Sequence, residues 1–188
     1  MNSYKILNKQ VFSNGKYAIT PIRMKDRYAI MDWRNSQIKI LRQKHTLTKE
    51  EQDKYFKEIV SELFDKEQPE QVLFSFLLRG KLIGYGGYVH IDWDNKNAEI
   101  SFLLTPERNS DVAIYTKEFG IFLELIEEVG FELGLHKIYT YGYDIYDFRF
   151  QPIINQNYLL EATLKNHVFI NEKLYAVRIY SKILKNEY

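Results

Sequence analysis

Two periods of apolar residues lay out the elements of this chain. Tyr17 to Ile22 alternates and ends at Pro21-Ile22-Arg23, which predicts a short first strand. Lys25 to Ile40 carries Ala29, Ile30, Trp33 and Ile38 or Ile40 at roughly helical spacing. Thr48-Lys49-Glu50-Glu51 reads as a capping box and opens a helix with Tyr55, Phe56, Ile59, Val60 and Leu63 on one stripe, stopping before Pro69. The period then changes. Val72 to Leu78 is a continuous apolar run, a buried strand, and Gly80-Lys81 a tight turn. Leu82 to Ile91, interrupted by Gly84, Gly86 and Gly87, is the next strand. A polar turn at Asp92–Lys96 leads to Ala98–Leu104, closed by Thr105-Pro106. A long helix is predicted from about Val112 to Leu133, with Gly134 as its C-cap. His136 to Tyr143 is a strand. Asp144 to Gln156 is short and poorly patterned, and Pro152 disfavours a helix there. Tyr158–Ile170, a turn at Asn171-Glu172-Lys173 and Leu174–Ile183 form a closing hairpin.

The order is β-α-α-β-β-β-α-β-(α)-β-β. The expected fold class is α+β, a mixed sheet with an antiparallel N-terminal meander, a long crossover helix and a C-terminal hairpin. The strand after the long helix should lie parallel to Ala98–Leu104. No repeat or linker divides the chain, so residues 1–188 are expected to form one domain, with 1–16 as an N-terminal extension.

Composition narrows the chemistry. Twenty-six basic and 25 acidic residues balance to a net charge of +1, which argues against a partner read through its nucleic-acid backbone. With no cysteine and four scattered histidines, neither a thiol nucleophile nor a metal centre is expected. No apolar stretch resembles a signal peptide or a membrane span, so a cytoplasmic protein is expected. Aromatic residues reach 15%, but they accompany an excess of Ile, Lys and Asn, so they are not taken as a stacking surface.

Several stretches resemble the GNAT superfamily of N-acetyltransferases. Lys81 to Glu107, KLIGYGGYVHIDWDNKNAEISFLLTPE, is similar to its central hairpin and the strand that grips acetyl-CoA. Gly130 to Thr140, GFELGLHKIYT, is similar to the junction of its long helix with the following strand. Leu159 to Tyr188, LLEATLKNHVFINEKLYAVRIYSKILKNEY, is similar to its C-terminal hairpin and is the most specific match. Trp33 to Phe56, WRNSQIKILRQKHTLTKEEQDKYF, resembles the bacterial branch that acetylates nucleotide-linked amino sugars.

The resemblance implies transfer of an acetyl group from acetyl-CoA to a primary amine, without a metal. The expected partner is a small-molecule amine acceptor, with no nucleic acid and no membrane; the chain could pair as a homodimer. The reaction needs a base for the amine, N–H donors for the developing oxyanion and, often, a Tyr to protonate the thiolate. Family members also use a loop, Q/R-x-x-G-x-G/A, whose backbone amides hold the diphosphate at the start of the long helix.

The chain departs from this pattern twice. The matching register is Arg108-Asn109-Ser110-Asp111-Val112-Ala113, with Asp111 where the central Gly belongs. A carboxylate there repels a diphosphate, so weakened binding is expected; alternatively Asp111 or Ser110 simply caps the long helix. The usual acid is absent as well. Counting back from Leu160-Glu161 puts Ile153 at the Tyr position, which leaves Tyr143 or Tyr146 as substitutes.

Other roles follow from the resemblance together with the pattern. If the hairpin turns at Asp94-Asn95, His90 lies opposite Glu99 on one face; Glu99 is the expected base, alone, through water or paired with His90, the alternative being a solvated cross-strand pair. Leu103 and Leu104 would offer backbone N–H groups. Trp33, Arg34 and Asn35 line the acceptor pocket or else pack as an ordinary helix, and His45 either touches a ligand or sits exposed in a loop. His136 and His167 match positions that are mostly structural. A non-catalytic or repurposed protein of this fold, and an enzyme using an acyl-carrier protein as donor, are the alternatives; fold alone does not decide among them.

Overall fold

The computed structural model describes residues 2–184. One eight-stranded sheet forms its centre, in the order β1-β2-β3-β4-β5-β6-β8-β7. The strands are β1 (Phe12–Asn14), β2 (Tyr17–Pro21), β3 (Val72–Leu78), β4 (Lys81–Asp92), β5 (Asn97–Leu104), β6 (Lys137–Tyr143), β7 (Leu159–Ile170) and β8 (Lys173–Ile183). Neighbours are antiparallel except β5 and β6, which run parallel as a crossover through a long helix requires. The expected meander, crossover and C-terminal hairpin are therefore present. The last residues of the C-terminal match, 185–188, lie outside the described residues.

The helices follow their caps. α1 is Arg27–Ser36. α2 (Lys49–Lys54) opens on the capping box expected at Thr48, which accepts from Glu51 N–H while the Glu51 carboxylate accepts from Thr48 N–H. It runs through a π-helical stretch, Tyr55–Val60, into α3 (Ser61–Leu63). α4 (Pro106–Ser110) is short, with Pro106 at its start. α5 (Val112–Glu132) crosses the sheet. α6 (Gln151–Asn155) follows a 3-10 turn at Asp147–Phe150. Pro152 does not prevent α6. It occupies the first turn, where its missing N–H would have had no helical partner.

β3 reads as a continuous apolar run because the sheet is covered on both faces here. The Phe76 ring meets Phe122 of α5 at 5.5 Å, while Ser75, on the opposite face, bonds the buried Asp26 beside α1 at 2.6 Å. The glycines of β4 serve this packing. A Cβ at Gly86 would lie 2.2 Å from the Ser101 carbonyl oxygen and 2.8 Å from the Phe122 ring, so only glycine lets α5 and β5 approach this closely.

The first residues do not stand apart from the core. Tyr4, Leu7 and Phe12 are buried, and the Tyr4 hydroxyl donates to Leu73 O at 2.9 Å and accepts from Leu73 N at 2.8 Å. Burial pushes the Tyr4 phenol far above its usual range, so it stays protonated and available for both bonds.

Candidate active site

β5 and β6 pair at Asn97↔Lys137, Ala98↔Ile138 and Glu99↔Tyr139, and then part. Beyond that point β5 stays with β4 and β6 stays with β8. The gap is a cleft of about 850 Å³, walled by Ser101 and Phe102 on one side and by Thr140, Tyr141 and Tyr143 on the other. Thr105 N–H donates to Ile83 O, and the Ser101 and Leu103 carbonyls face the β4 glycines. By alternation the N–H groups of Phe102 and Leu104 turn away from β4, that of Phe102 toward the cleft and that of Leu104 into a fully buried position. Of the two leucines expected to offer N–H groups, Leu103 therefore has its backbone within the β4–β5 pair, and Phe102 holds the other outward position. Leu104 O accepts from Gln37 Nε2 at 3.0 Å.

Glu99 stands where the strands part. Its side chain is 6% exposed, with Oε1 ion-paired to Arg42 and Oε2 3.8 Å from His90 Nε2. The register opposite Glu99 is filled by Val89, one residue from the expected His90. A bulge between Val89 and Asp92, with His90 at φ 50°, swings the imidazole back toward the carboxylate. The His90 side chain is 65% exposed, so this pair connects a buried acid to solvent. Arg42, in the loop after α1, carried no signal in the sequence; its guanidinium also sits 4.9 Å from the Tyr141 ring centroid.

Arg34 also lines the cleft, donating to Tyr85 Oη at 2.7 Å and Gln43 Oε1 at 2.9 Å. Among the described residues no carboxylate pairs with it. Trp33 packs against the core. Asn35 braces the loop after α1 through Leu47 and Gln43, accepting from Leu47 N at 2.7 Å and donating to its carbonyl at 2.8 Å. His45 lies outside the cleft, exposed, 3.2 Å from Glu51. Tyr143 lines the cleft, and burial pushes its phenol up, with Tyr141 adding to the effect. Tyr146 does not. It is 50% exposed and borders a second cleft of about 460 Å³ beside α4. Ile153 is buried in the core.

The loop register is turned to structural use. Arg108 pairs with Glu118, which is 2% exposed and also accepts from the Tyr17 hydroxyl at 3.3 Å. Asn109 is buried and donates to Gln37 Oε1. Ser110 bonds back to Pro106 O and Glu107 O. Asp111 is the N-cap of α5, accepting from Ile114 N–H at 2.9 Å, and Val112 and Ala113 are exposed in the first turn. Asp111→Ala should therefore lower stability by about 0.5–2 kcal/mol, read from urea denaturation; unchanged stability would remove the cap from the account.

Two residues that line the cleft each carry a buried polar atom without a hydrogen-bond partner, Thr140 Oγ1 and Arg149 Nε. Such atoms fit a site built for a polar guest.

No curated relative matches the chain. Solved structures share its fold. The spermidine N-acetyltransferase from Vibrio cholerae in complex with CoA and spermine superposes with a TM-score of 0.76 at 16% identity, over 91% of this chain and 97% of that one. The ribosomal-protein-S5-alanine acetyltransferase from Vibrio fischeri gives 0.73 at 16% identity, over 95% and 98%. A ribosomal L7/L12 α-N-protein acetyltransferase in complex with coenzyme A gives 0.73 at 12% identity, over 93% and 98%. A family model described as an acetyltransferase (GNAT) domain matches residues 19–142, from β2 through the strand pair that opens the cleft, and the chain belongs to that family.

Proposed function

We propose that the protein is an N-acetyltransferase that uses acetyl-CoA to acetylate a primary amine, and that the amine belongs to an amino sugar on a nucleotide carrier. The observation that carries the first part is the opening of β5 from β6 directly above a buried carboxylate. Acetyl-CoA, when bound, supplies an acyl group activated as a thioester. The Phe102 N–H, fixed by the β4–β5 pairing, offers a donor to a carbonyl oxygen in the cleft without reorganising. Thr140 Oγ1 and Arg149 Nε suit the polar parts of the donor. Glu99 Oε2 takes the proton of an amine seated where the strands part, and His90 Nε2 relays it to solvent. Arg42 orients this carboxylate by holding its other oxygen.

Two arginines support the finer part. Glu99 is matched by Arg42, while Arg34 has neutral hydrogen-bond partners only. Arg34 suits an acceptor with an anionic arm, such as a nucleotide diphosphate. The test is acetyl-CoA-dependent thiol release with nucleotide-linked amino sugars, free amino sugars, polyamines and peptide amines. The nucleotide-linked sugar should give the highest kcat/KM. Preference for a polyamine would overturn the acceptor, and absence of turnover with every amine would overturn the enzyme.

One observation favours the second reading, a binding protein on the same fold. Ile153 stands at the acid position and is core, and of the two substitute tyrosines only Tyr143 reaches the cleft, with its phenol pushed up by burial. Such a protein would bind a ligand or a partner and turn nothing over.

A further inference from the structure

Arg149 lies in the 3-10 turn after β6 and borders both clefts. Its guanidinium carbon sits 5.3 Å from the Tyr115 ring centroid, 5.6 Å from Tyr146 and 5.5 Å from Phe148. Three aromatic rings hold the cation in place from the sides. Nη1 donates to Asn109 Oδ1 at 3.2 Å, which ties the group to the loop before α5. Nε is buried and has no hydrogen-bond partner.

Among the described residues no carboxylate pairs with Arg149. The acids nearest in sequence are engaged elsewhere, since Asp144 and Asp147 both pair with Arg178 at 2.7 and 3.1 Å. Arg108, the other arginine of this region, is engaged by Glu118. Arg149 is half-buried, and a partly desolvated guanidinium with an unused Nε donor is stabilised when an anion completes it. It stands beside the loop that lacks its glycine, where Asp111 is occupied with capping α5.

We propose that Arg149 is the ligand for the donor's diphosphate, a side-chain guanidinium taking the place of the backbone amides that a glycine loop would supply. The inference rests on the acetyl-CoA reading above. A planar guanidinium meets phosphate oxygens with two parallel N–H bonds, and neighbouring rings pre-organise it for that contact. Asn109 then acts as the positioning residue, setting the fork through Arg149 Nη1. The donor's charge is thereby bound by a side chain that borders both clefts rather than by backbone amides at the start of α5.

Calorimetric titration with coenzyme A and with S-acetylpantetheine, which lacks the diphosphate, tests this on the wild type and on Arg149→Gln and Arg149→Lys. Arg149→Gln should weaken coenzyme A binding about 10–100-fold and leave S-acetylpantetheine binding unchanged. Arg149→Lys keeps the charge without the fork and should fall between. If Arg149→Gln fails to fold, Arg149→Met, which keeps an aliphatic stem among the three rings, gives the same comparison. Equal coenzyme A affinity in wild type and variant would overturn the proposal, and so would equal losses for both ligands. A wild type that binds neither ligand would instead overturn the acetyl-CoA reading on which it rests.

Discussion

Glu99→Gln should lower kcat by about 10²–10⁴ while leaving coenzyme A affinity nearly unchanged. The substitution keeps the volume of the side chain and removes its capacity to accept a proton. The fold should tolerate it, because the Arg42 side chain is 46% exposed and can be solvated when its partner loses charge. His90→Gln should cost less than Glu99→Gln. His90 is the more exposed member of the pair, 3.8 Å from Oε2, and water can replace a relay that already faces solvent. Steady-state turnover and calorimetry on the same preparations check both. Wild-type kcat in Glu99→Gln would reject Glu99 as the base, and a parallel loss of coenzyme A affinity would make it a residue of the donor site.

The second large effect concerns stability. Arg108→Ala should cost about 3–5 kcal/mol, because it leaves Glu118 buried and charged without a cation. Glu118 already has one buried oxygen, Oε2, without a partner, so the site has no reserve. Against a typical total of about 5–15 kcal/mol, that loss removes much of the fold's margin. At this chain length each kcal/mol lowers Tm by roughly 2–4 °C. Removing both charges together, in Arg108→Met with Glu118→Leu, should recover most of the loss, as apolar replacement of a buried pair commonly does. Urea denaturation of the single and double variants decides. A fully stable Arg108→Ala with weakened coenzyme A binding would return Arg108 to the donor loop that the sequence pattern assigns it.

These two residues mark how far the sequence could be read. The meander was legible because β3 is a continuous apolar run bounded by turn residues, and α5 because its stripe is long and ends at Gly134. β1 was not, since the three residues Phe12–Asn14 are too few to show a period. Tyr4 looks like part of a tail until the fold brings Leu73 to its hydroxyl. The Glu99–His90 pair was expected from a simple register. It forms instead through a bulge that puts a histidine at positive φ, which no alternation pattern announces. Arg42 and Arg149 were missed because each sits on an irregular segment and gains its meaning from partners far along the chain, Glu99 and Asn109. Arg108 matched a loop pattern in one dimension, yet the burial of Glu118 ten residues on turns it inward.

The short pairing of β5 with β6 has a mechanical consequence. Three residue pairs, with α5 lying across them, couple a five-stranded leaf, β1 to β5, to a three-stranded leaf, β6 to β7. Any change in the angle between the leaves turns about Asn97–Glu99 and Lys137–Tyr139. Displacement then grows along the leaves toward Leu104 and Tyr143 and vanishes near the pivot. Glu99 lies on the pivot, so the mouth can widen or narrow around a guest while the carboxylate stays in place. Such a lever puts compliance at the mouth of the cleft and rigidity at its buried carboxylate.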